Sequence, residues 1–64
     1  MTKTERAMLQ ELEHIAYLRL RRAENQYGIC DEYTDEYRRE WGAIYRVLDK
    51  LGIEPIERRE VKYD

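Results

Sequence analysis

Serine is missing from this 64-residue chain; cysteine and proline each occur once and glycine three times. Without serine, a single chain cannot assemble a serine-hydrolase triad. A lone Cys30 cannot close an intramolecular disulfide, which fits a reducing compartment. There is no Gly-rich phosphate loop, no Cys/His cluster, no internal repeat and no low-complexity linker. No apolar run approaches membrane-spanning length, and the opening "MTKTERAMLQE" has no apolar signal-peptide core. These lacks lead us to expect a cytoplasmic protein that uses neither membrane nor cofactor and is not an enzyme.

Charge is abundant. Asp, Glu, Lys and Arg make up 41% of the chain yet nearly cancel, to a net −2, so the total charge selects no class of partner. Aromatic residues are frequent enough, with six Tyr and one Trp, to argue against disorder. A chain this short forms at most one domain, close to the size at which a single core becomes marginal. The combination favours helices that carry one apolar stripe each.

Thr2 and Glu5 have the spacing of a capping box, in which each side chain satisfies an amide of the first helical turn. A first helix is therefore expected over residues 3–27, stopped by a left-handed Gly28. A second is expected over 31–51, opened by acids that complement the helix dipole. "LDKLGIEP" closes it, with Gly52 after the last turn and Pro55 beyond. The loop of about three residues requires the helices to lie antiparallel. The expected fold is all-α: a helical hairpin over 1–53 and a short C-terminal tail over 54–64. In the tail, the alternation of Arg59, Val61 and Tyr63 suggests an extended arm or strand.

On the second helix Cys30, Thr34, Tyr37, Trp41, Ile44, Leu48 and Leu51 recur with the 3.5-residue period of a helix–helix seam. On the first, Leu9, Leu12, Ala16, Arg19, Ala23 and Gln26 share that spacing, and Met8, Ile15 and Leu20 widen the margins. Folding at the turn sets Leu12 against Leu48, Ile15 against Ile44 and Ala23 against Tyr37, so small residues oppose large ones. Tyr33, Tyr37 and Trp41, spaced by four, then read as a mostly inward-facing ladder. One stripe per helix buries too little apolar surface for so short a chain. Ala7, Leu18, Ala43 and Val47 lie outside the seam and call for a second layer. The simplest supply is a homodimer forming a four-helix bundle.

Several constellations carry candidate chemistry, each beside a plainer structural role. Arg19 falls opposite Glu40 and Trp41, which suggests a core polar pair, Arg19–Glu40, that fixes register and association state. Arg21, Arg22, Arg38 and Arg39 lie at one level of the hairpin and are the candidate nucleic-acid contacts, since guanidinium groups pair bidentately with phosphates. By topology alone, a dimer carrying them resembles small dimeric helical-hairpin RNA-binding proteins. Nearby carboxylates favour the alternative of a solvated, ion-paired face. Glu11 and His14 have the Glu-x-x-His spacing of helical-bundle metal sites, which is also common on solvated helices. The acids Asp31, Glu32, Asp35 and Glu36 admit phosphate mimicry but are accounted for by the helix dipole. Cys30 sits near a helix N-terminus, but no base accompanies it. Tyr17, Tyr45 and Tyr63, off the seam, are the candidate contacts for a protein partner. The sequence reading is a non-enzymatic adaptor, inhibitor or regulator, with a nucleic-acid-binding dimer and a metal-binding bundle as alternatives.

Overall fold

The computed structural model describes residues 1–56 and is an antiparallel helical hairpin: α1 spans Lys3–Tyr27 and α2 spans Glu32–Lys50. Among the described residues there is no strand. The body measures 37 × 24 × 14 Å. At about 1.5 Å per residue α1 alone accounts for the long dimension, and the 14 Å thickness is little more than one helix with its side chains. The hairpin is one layer deep, with two broad faces.

The boundaries follow from local chemistry. The Thr2 hydroxyl accepts from the Glu5 amide at 3.1 Å while the Glu5 carboxylate accepts from the Thr2 amide at 3.2 Å, a complete capping box. At the other end of α1, Gly28 has φ 94° and ψ 160°. This is a stop at positive φ, though not the left-handed helical geometry expected; it lies in an extended region open essentially to glycine alone. Asp31 caps α2 through the Tyr33 amide, at 2.9 Å. The end of α2 is a Schellman motif: the Ile53 amide donates to the Leu48 carbonyl, the Gly52 amide to the Asp49 carbonyl, and Gly52 takes φ 69°. The motif turns Ile53 inward, where it is buried with Leu48.

From there the chain crosses toward α1, and the Gln10 side-chain amide donates to the Glu54 carbonyl at 2.7 Å. Residues 57–64, and with them the extended arm expected through Arg59, Val61 and Tyr63, lie outside the described residues. At the loop end, Thr34 ties the two helices together. Fully buried, it donates its hydroxyl to the Gly28 carbonyl at 2.6 Å, with the Ala23 carbonyl at 3.3 Å.

The seam of α1 differs from expectation. Glu13, Ala16, Leu20 and Ala23 are buried, whereas Leu12, Arg19 and Gln26 are exposed. Helix α1 is thus rolled by part of a residue's 100° step, exchanging Leu12 for Glu13 and Arg19 for Leu20. The cause is visible in Trp41. Its indole is half-buried, and its N–H needs an acceptor there. Glu13, three residues before Ala16, supplies one at 2.8 Å; Leu12 could not. The α2 seam is as expected through its middle, with Thr34 and Leu48 buried and Tyr37, Trp41 and Ile44 half-buried, but its ends Cys30 and Leu51 are exposed. Tyr33, expected at the seam's edge, is mostly exposed and packs on Tyr27 at the hairpin's turn, ring centroids 5.2 Å apart.

Candidate functional site

The roll of α1 gives the two faces of the hairpin different characters. One carries the aromatic cluster. Trp41 sits between Tyr17 and Tyr45, ring centroids 6.2 and 5.3 Å away and tilted rather than stacked flat. Glu13, 0% exposed, accepts the indole N–H from beneath, and Gln10 on the same flank holds the Glu54 carbonyl. This is the face over which the chain returns after α2. On this flank too, His14 Nδ1 is buried without a hydrogen-bond partner among the described residues.

The opposite face is marked by the Arg19–Glu40 ion pair, which spans the two helices at 3.8 Å. The expected pair forms, but its side chains are 60% and 50% exposed, so it is a surface contact and not a core one. The same roll explains this: bringing Leu20 inward swings Arg19 out. The buried polar side-chain pair across the middle of the seam is instead Glu13 with Trp41. Sequence reasoning missed it, although the need of a seam tryptophan for an acceptor was a usable signal.

Along α1 from Arg19, steps of four, three and four lead to Ile15, Leu12 and Met8. Along α2 from Glu40 the same steps lead to Ile44, Val47 and Leu51. Such steps hold one helix stripe. In an antiparallel pair the two stripes therefore run side by side as a ladder of ranks, an ion pair followed by three apolar pairs. Met8, Leu12, Ile15, Val47 and Leu51 keep between 41% and 64% of their surface exposed. Toward the turn, this face continues as an open groove lined by Arg19, Arg22, Ala23, Gln26, Tyr27 and Tyr37.

The other candidates fall into place around these faces. Tyr45 is exposed as expected, but Tyr17 is half-buried by its packing, and the Arg21 guanidinium lies 6.0 Å from its ring. Tyr63 lies outside the described residues. The four arginines share a level but not a surface. Arg21 pairs with Glu24 at 3.4 Å, and Arg38 is held between the Asp35 carboxylate and the Ile29 carbonyl. Arg22 and Arg39 project from different helices on other sides, and only Arg22 reaches the groove. Asp35 and Asp31 are used internally, as ion partner and helix cap, which breaks up the acidic row. Around Glu11 and His14, and elsewhere among the described residues, no three ligating side chains converge as a metal site. Cys30 is free and exposed. Among the described residues no helix is long and apolar enough to cross a membrane.

No protein-family model matches the chain, and neither curated proteins nor solved structures show a match. Its function is therefore argued from the two faces alone.

Proposed function

We propose that this protein is a small non-enzymatic interaction protein, an adaptor, inhibitor or regulator that works by docking its helical surfaces in a reducing cytoplasm. The observation that carries the reading is the apolar ladder on the open face. Single exposed apolar side chains are ordinary, but a contiguous rank of them marks an interaction site. The start of the C-terminal tail does not compete for this surface, because it crosses the opposite face through Gln10 and Glu54. The single thiol and the absence of cysteine pairing support the compartment.

Affinity capture tests the reading, with the wild type compared against Leu12→Glu/Val47→Glu. Both positions are exposed, so the helical circular dichroism of the variant should match that of the wild type. A partner captured by the wild type and lost by the variant supports docking through this face. Equal capture by both, or a wild type that holds neither another protein nor a second copy, contradicts it.

The groove at the turn end gives the nucleic-acid alternative its one specific support, since Arg19 and Arg22 lie there beside Tyr27 and Tyr37. Arginine and tyrosine together can hold a phosphate and stack a base. Binding to generic RNA and duplex DNA across a salt series decides it. Affinity falling steeply with salt would promote this alternative, because the slope reports released counterions. No binding at low salt removes it.

A further inference from the structure

We infer that the occupant of the open face is a second copy of this chain, related by a two-fold axis parallel to the helices, giving a four-helix bundle with both turns at one end. This rests on the reading of that face as a docking surface and names its occupant. Three observations on the molecule point the same way.

Size comes first. The broad face measures 37 × 24 Å, a projected 37 × 24 ≈ 890 Å². A stable interface removes about 800 Å² from each partner. The face is thus large enough for a stable interface, and a second hairpin of equal dimensions covers its whole length and width, which a peptide lying along the central groove does not.

The second is the match of each rank to itself. An axis parallel to the helices places α1 of one copy over α2 of the other at the same height. Leu12 then meets the second copy's Val47, Ile15 meets its Ile44, and Met8 meets its Leu51. Apolar ranks cover apolar ranks along their full length. An end-over-end arrangement either lays the apolar half on the charged half or, where it superposes the two apolar halves, leaves the charged end of each copy overhanging and uncovered.

Charge supplies the third. Under the same operation Arg19 of each copy faces Glu40 of the other, which turns the surface ion pair into a closed ring of four alternating charges. One turn further, Arg22 and Glu36 come to matching heights, on the outer edges of the same face. The polar end carries as many arginines as glutamates, and the operation sets opposite signs against each other. Complementarity of this kind fixes register and suppresses other arrangements. All neighbouring helices in the resulting bundle are antiparallel, the favoured up-down arrangement.

The unmodified sequence tests the inference, because Cys30 is free, exposed and alone at the turn. Sedimentation equilibrium of the full chain should give twice the 7.9 kDa chain mass. A spin label on Cys30 should then report a distance set by the width of the bundle, with helix layers about 10 Å apart. An end-over-end dimer would place the labels at opposite ends of a 37 Å body. A monomer at all concentrations, or a label distance of about 35 Å or more, overturns the inference. So does a dimer that Val47→Glu leaves intact. Arg19→Glu should weaken dimerisation tenfold or more, and Arg19→Glu/Glu40→Arg should restore it; a swap that rescues nothing also overturns it. A monomer whose partner capture is still abolished by Leu12→Glu/Val47→Glu would refute the second copy as occupant while leaving the docking face standing.

Discussion

Replacing Trp41 with Phe isolates the buried polar contact on which the helix arrangement turns. The substitution keeps most of the ring surface but removes the Nε1–H that donates to Glu13 at 2.8 Å. Glu13 is 0% exposed, so water cannot replace the lost donor. Taking one donor from a buried carboxylate costs about 1–3 kcal/mol, against about 0.5–1.5 kcal/mol for the net worth of an ordinary hydrogen bond. The smaller ring adds a packing loss of the same sign. In a domain this size each kcal/mol moves Tm by roughly 4–8 °C, so a fall of about 5–20 °C is expected. Thermal unfolding followed at 222 nm measures it, at one fixed protein concentration because association couples to Tm. The companion variant Trp41→Phe/Glu13→Leu should lose less than the sum of the two single losses, since the two side chains are in direct contact. An unchanged Tm for Trp41→Phe would refute the reasoning. So would strict additivity of the two substitutions, because residues in direct contact should couple.

The remaining predictions concern single positions. Gly42 lies inside α2, and a Cβ built there meets nothing within 4 Å, so Gly42→Ala should stabilise by about 0.5–1 kcal/mol, read as a raised Tm. Arg19→Ala should cost the isolated hairpin only about 0.2–1 kcal/mol, because the pair with Glu40 is exposed; urea unfolding at a concentration too low for association would show it. A larger loss would mean the guanidinium is buried after all. Thr34→Val keeps the buried shape but removes the hydroxyl that donates to the Gly28 carbonyl, leaving that carbonyl the Asp31 amide at 3.5 Å, and should destabilise by about 0.5–1.5 kcal/mol with faster amide exchange at the turn.

The features legible in the sequence are those written in local chemistry. The capping box at Thr2 and Glu5, the acids that open α2 and the stop at Gly52 use side chains and φ preferences within a few residues of each other, so the helix limits, to within a residue, and the hairpin follow directly. The rotation of α1 was not legible from periodicity, because two stripes compete on it. Both contain Leu9, Ala16 and Ala23; one adds Leu12 with Arg19, the other Glu13 with Leu20. Counting apolar residues barely separates them. The choice is made across the hairpin, by the demand of the Trp41 N–H for an acceptor, which Glu13 meets. That single rotation then decides the surface. It moves the Arg19–Glu40 pair from core to exterior, draws Tyr17 against the indole, and exposes the apolar ladder. The arginine level was legible, but not the direction of each side chain around its helix, and local partners claim Arg21 and Arg38.

An NMR measurement of contacts around the Trp41 indole N–H tests the roll of α1 most directly. The account predicts nuclear Overhauser effects from that proton to the Glu13 side chain. An indole proton remote from Glu13 would contradict it and dismantle the open face.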